Sequence, residues 1–143
     1  MFINSCLGYI EVLDEDEIVT LYRFMSKEEY EELLAGKVLV NEEDHTKEYK
    51  TASVGFCFLD INDYSPRQAY EFLRGIVADY VAVMFEVDES YLTPSYGVYA
   101  YVDKITEYYT TTYSMEHFRP VKVSFNFMDR QNAVWHDIAM PKR

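Results

Sequence analysis

The stretch LYRFMSKEEYEELLAG, Leu21 to Gly36, joins two elements of different kind without a linker. It completes an apolar run, Ile18 to Met25, that reads as a strand. Ser26 and Glu29 then have capping-box spacing, and Gly36 is a natural residue to end a helix. Between them Tyr30, Leu33 and Leu34 fall on one helical face. A strand that feeds straight into a short capped helix predicts a mixed fold. Arg23 sits in the middle of that strand. A guanidinium stays charged, so a buried arginine needs a carboxylate or a bound anion. Three placements satisfy it: a pair with a carboxylate such as Asp60, a position on the solvent face of an edge strand, or a grip on a phosphate or diphosphate.

The same grammar continues outward. Lys37 to Val40 is a short strand candidate, and Asn41 to Lys50 has no apolar period and reads as an exposed loop. Thr51 to Asp60 alternates: Val54, Phe56 and Phe58 point one way, and Ser53, Gly55 and Cys57 the other. The second set is small, so a neighbour must approach closely there. A second helix is framed by Ser65, Pro66, Gln68 and Gly75. Asp79 to Asp88 is nearly continuous in apolar character and predicts a strand buried on both faces. Ser95 to Val102 and Ile105 to Tyr113 read as strands parted only by Asp103 and Lys104, as in a hairpin. Pro120 to Phe127 is a further strand, and Met1 to Leu13 is apolar enough to dock as one. In the tail, 128–143, Trp135 argues that part of it packs. The sum is an α+β fold: one small domain over 1–143, with a largely antiparallel split sheet and two short capped helices.

Composition narrows the function. A chain of 143 residues can bury roughly 70% of its unfolded surface, enough for a real core. With 13 basic and 25 acidic side chains the net charge is −12, which argues against a nucleic-acid-binding face and favours a basic partner. Cys6 and Cys57 have no zinc-like spacing, and Cys57 reads as a buried thiol, so no metal is expected. The cysteine usage, the lack of a signal-like N-terminus and the lack of a long apolar run predict a cytoplasmic protein with no membrane span.

Common catalytic motifs are missing: there is no GxGxxG, P-loop, HExxH or GxSxG. His45, His117 and His136 are scattered. Glu28, Glu29, Glu31 and Glu32 decorate the first helix and read as a solvent face.

LYR on a first strand, a short helix ending in Gly, a strand opening with TAS, and a late strand opening at Glu107 are together similar to the ADP-ribosyltransferase-like fold. The resemblance spans about residues 19–127 and rests on the order of three short motifs. It implies an NAD-dependent transferase. Arg23 would hold the diphosphate or adenosine ribose of NAD. Ser53 would bond near the nicotinamide ribose, and Gly55 would let the ligand approach. Glu107 would take the ribose 2′-OH and stabilise the oxocarbenium-like charge as nicotinamide leaves. Tyr64, Tyr70 or Tyr99 would stack on the nicotinamide. The second motif is TAS rather than STS. Ile105 stands where arginine-modifying members carry Glu or Gln, which argues against protein-arginine modification and leaves transfer to other acceptors, or NAD hydrolysis, open.

A second reading comes from a different class. A compact, acidic, Tyr-rich domain fits a non-catalytic inhibitor that imitates nucleic-acid charge and blocks a basic groove on a partner protein, as anti-nuclease or anti-CRISPR proteins do. Either reading suits a phage or toxin-type effector. An enzyme needs Arg23, Ser53 and Glu107 around one cleft; an inhibitor needs surface carboxylates and leaves Arg23 a structural charge.

Overall fold

The computed structural model describes residues 18–40, 56–61, 64–73, 81–94 and 105–139. Strand β1 (Ile18–Met25) runs into helix α1 (Lys27–Leu34), then a short β2 (Leu39–Val40). β3 (Phe56–Asp60) leads to α2 (Pro66–Leu73), and β4 (Val81–Asp88) to a 3-10 turn and β5 (Thr93–Pro94). β6 (Thr106–Thr110), β7 (Thr112–Tyr113), β8 (Phe118–Ser124) and β9 (His136–Asp137) follow. Seven strands form one sheet in the order β5-β6-β3-β1-β4-β8-β9, and β2 pairs with β7 in a separate ribbon. Every registered pair is antiparallel. The domain is therefore α+β, and among the described residues it has two α-helices and strands that divide unequally, seven against two.

The central strand β1 shows why the sheet holds. All eight of its residues pair with β4, from Ile18↔Asp88 to Met25↔Val81. Its alternate side chains enter different cores. Leu21 and Met25 join Phe58, Phe85, Tyr113 and Phe118 on one face, beneath α1 and the β2/β7 ribbon. Phe24 joins Cys57, Leu59, Ala69, Tyr70 and Phe127 on the other, beneath α2. Aromatic rings cluster within the first core: Phe58 meets Phe85, Tyr113 and Phe118 at centroid distances of 5.2, 5.0 and 4.8 Å. Such pairs add about 0.5–1.5 kcal/mol each beyond the area they bury.

Several expectations hold and some shift. Phe56 and Phe58 do face away from Cys57, which is buried. β4 is buried on both faces only from Val81 to Val83; Met84, Glu86 and Asp88 are partly exposed. The run from Ile105 to Tyr113 is broken at Thr111, so its last two residues turn out of the main sheet into the ribbon with β2. The strand read from Pro120 begins earlier, at Phe118, and ends at Ser124. Trp135 does pack, with its ring edge-on to Tyr22 at 6.1 Å. The strand read over 1–13, the loop at 41–50 and the hairpin around Asp103 and Lys104 lie outside the described residues.

Both helices start as their sequences require. At α2 the box is complete: Gln68 N–H donates to Ser65 Oγ at 3.2 Å, and Ser65 N–H donates to Gln68 Oε1 at 3.0 Å. At α1 it is half built, since Glu29 N–H donates to Ser26 Oγ at 3.1 Å while the Glu29 carboxylate is used elsewhere. α1 stops at Gly36, whose φ of +86° suits a residue without Cβ. A Cβ added there meets nothing within 4 Å, so the cost of Gly36→Ala is conformational alone. It should destabilise the fold by about 1 kcal/mol, with Gly36→Asn costing less, as read from urea unfolding midpoints.

Candidate functional site

Arg23 is buried, and its donors have partners inside the protein. Its Nε donates to Glu29 Oε2 at 2.7 Å and its Nη2 to Glu29 Oε1 at 2.7 Å, a two-point clamp. Its Nη1 donates to the carbonyl of Cys57 at 3.2 Å. The guanidinium lies 4.9 Å from the Phe56 ring centroid and 5.8 Å from that of Phe58. The Tyr113 hydroxyl donates to Glu29 Oε2 at 2.5 Å, so the ribbon is tied to the same carboxylate. Burial opposes the charge on Arg23, but the hydrogen bonds and charge of Glu29 outweigh it and hold the guanidinium above its usual range. Burial, and then the Glu29 charge, push the Tyr113 hydroxyl well up.

The partner of Arg23 is thus Glu29, six residues along the chain, and not Asp60. This corrects the reading of the α1 glutamates as one solvent face. Glu28, Glu31 and Glu32 are exposed, while the Glu29 side chain is only 14% exposed. The capping residue turns its carboxylate inward, which is why the box at Ser26 is half built.

Glu107 is in a different environment. It is 5% exposed, and its Oε2 has no hydrogen-bond partner. Burial raises its carboxyl from an ordinary 4.5 to about 7. Cys57 lies on the same face one diagonal step away, since β3 and β6 pair Cys57↔Tyr109 and Leu59↔Glu107. Burial, and then the charge of Glu107, push its thiol up to about 12, with Tyr109 and Arg23 partly opposing. A thiol so placed stays protonated at neutral pH and is a poor nucleophile.

Strand parity separates the two ionisable groups. Tyr22 pairs with Leu59, and Leu59 with Glu107, so these three side chains form a row on the α2 face. Arg23 follows Tyr22 and points to the α1 face, over Phe56 and Phe58. Arg23 and Glu107 therefore lie two strands apart on opposite sides of the sheet. Ser53, Gly55 and Tyr99 lie outside the described residues. Tyr70 packs into the core against Phe24 and Phe127 at 5.3 and 5.6 Å. Tyr64 stands at a surface cleft with its ring against Phe72. Glu29 is the participant that the sequence reading missed. The signal available for it was its spacing from Arg23, one helix entry after a buried cation.

Among the described residues no group of His, Cys, Asp and Glu is placed to hold a metal ion, and no helix is long and apolar enough to cross a membrane. Comparison with family models, with curated proteins and with solved structures gave no match to this chain.

Proposed function

We propose that this chain acts by binding rather than by catalysis, as an acidic domain that covers a basic groove on a partner protein. The observation that carries the reading is the use of Arg23. Its guanidinium, which a nucleotide diphosphate would require, is clamped by Glu29 and faces away from Glu107. The net charge of −12 supplies the attraction, and Glu28, Glu31 and Glu32 present three exposed carboxylates on one short helix. An NAD-dependent transferase keeps one supporting feature, the buried carboxyl of Glu107, and among the described residues no free cation stands beside it.

The test has two arms. Immobilised full-length chain should retain nucleic-acid-binding proteins at about 50 mM salt, release them near 300 mM, and lose them to added duplex DNA. Calorimetric titration with NAD up to millimolar concentration should show no heat of binding. NAD binding that Glu107→Gln weakens, together with nicotinamide release, would overturn the proposal and restore the transferase reading.

A further inference from the structure

Strand β1 pairs with its two neighbours very unequally. All of its residues are in register with β4, whereas β3 meets it at one pair, Tyr22↔Leu59. β3 is itself paired along its whole length with β6, from Phe56↔Thr110 to Asp60↔Thr106. Among the described residues the sheet is therefore two well-laddered parts, β5-β6-β3 and β1-β4-β8-β9, joined at a seam with one registered pair. Continuing the register of that pair would set Phe24 against Cys57 and Thr20 against Ile61, but the ladder extends to neither. A sheet parts most readily where its backbone bonds are fewest.

The Arg23–Glu29 pair sits across this seam. Both members belong to the β1 part, because α1 follows β1 after Ser26 alone. The groups they meet belong to the other part. Arg23 Nη1 donates to the Cys57 carbonyl on β3 at 3.2 Å, and the guanidinium lies over Phe56 and Phe58 of the same strand. Glu29 Oε2 accepts from the Tyr113 hydroxyl at 2.5 Å, and β7 follows β6 after Thr111 alone. Both ties fall at the end of the β3–β6 ladder where Phe56 faces Thr110. Rings cross the seam as well, Phe58 against Phe85 and Phe118, and Tyr113 against Phe118. Apolar contact is non-directional and draws the two parts together without fixing their alignment, whereas hydrogen bonds to a charged pair fix it.

We propose that this domain opens at the β1/β3 seam before it unfolds as a whole, and that Arg23 and Glu29 are the latch that keeps the seam closed. Once parted from β1, the β3–β6 pair has, among the described residues, only the two residues of β5 beside it. So few strands without a core do not stay folded alone. Their amides then exchange with solvent while β1, β4 and β8 keep their ladders. The inference goes beyond the binding reading above and does not depend on it.

The experiment is native-state amide hydrogen exchange of the full chain, followed by NMR at urea concentrations below the unfolding transition. Ladder amides of β3 and β6 should exchange at least about tenfold faster than those of β4, with a shallower rise in urea, as a partial opening requires. Tyr113→Phe removes one tie and leaves Glu29 its two bonds from Arg23, and it should speed β3 and β6 exchange about tenfold. Val123→Ala is the contrast. Val123 pairs with Val83 on the side of β4 away from the seam, so it stays packed when the seam opens. That variant should speed β4 exchange about tenfold and leave β3 and β6 as they were. One level of protection across all three strands, or Val123→Ala speeding them alike, would overturn the inference by showing that the sheet opens as one unit. Unchanged β3 and β6 exchange in Tyr113→Phe would overturn the latch. The comparison between strands uses the unmodified chain, so it stands even if a variant fails to fold.

Discussion

Arg23→Ala should destabilise the domain by about 3–5 kcal/mol, a large part of the total for a fold of ordinary stability. The substitution strands the Glu29 carboxylate beside Tyr113 on a side chain that is only 14% exposed. It also removes the donor to the Cys57 carbonyl and the cation over Phe56 and Phe58. Glu29→Ala should cost a similar amount, because it leaves the guanidinium unpaired. Replacing both by apolar residues of like volume, Arg23→Met with Glu29→Leu, should cost much less than either single change. In a buried pair the desolvation penalty nearly cancels the attraction, and the loss comes from orphaning one partner. Urea unfolding of the three variants measures this directly. Equal, additive losses would mean that the two groups are not coupled. An Arg23→Ala protein of normal stability would return Arg23 to the role of a ligand clamp.

Glu107→Gln should change how stability depends on pH between about pH 4.5 and 7 more than a substitution at any other described carboxylate. The folded protein holds this carboxyl at about 7, against 4.5 for an unperturbed one, because burial disfavours its charge. Between those values the folded state binds the proton that the unfolded state has released. Stability from this group is therefore complete below about pH 4.5 and is lost as pH rises through 7. The full loss is on the order of 3 kcal/mol. Glutamine is neutral throughout and close in shape, so the variant should lack this decline and be the more stable protein at pH 8. Other carboxylates act on both proteins alike, so the difference between their unfolding free energies isolates Glu107. A difference that stays constant from pH 4 to 8 would mean that Glu107 ionises as an exposed carboxylate does.

Much of the fold was legible because it depends on neighbours in sequence. Ser65 and Gln68 predict a box that forms with both of its hydrogen bonds. Gly36 predicts a helix end and takes a positive φ there. The alternation Phe56, Cys57, Phe58 separates two faces, and the structure puts a different core on each. The break at Thr111 was not legible. Thr110 to Tyr113 is as good a strand in composition as the residues before it. What turns it away is Leu39 and Val40 offering a second pairing partner, a long-range matter.

The candidate site divides in the same way. That Arg23 is an interior charge in need of a partner follows from its residue type and its apolar flanks. Which partner it takes does not. Asp60 and Glu29 are both acidic and both near strand β1 in the fold, and the choice falls to the helix that enters directly after the strand. Residue types and their order likewise nominate Glu107, while its position relative to Arg23 depends on register. Tyr22, Leu59 and Glu107 share a row only because β3 pairs with β1 and β6 as it does. A shift of one residue in either pairing would carry Glu107 to the other face. The sequence by itself determined the elements, their caps and the need to neutralise Arg23, since these are set by local sterics and by the cost of burying a charge. Only the tertiary structure decided that Glu29 meets this need and that Arg23 and Glu107 face apart, because strand register and helix docking are fixed by contacts between residues far apart in the chain.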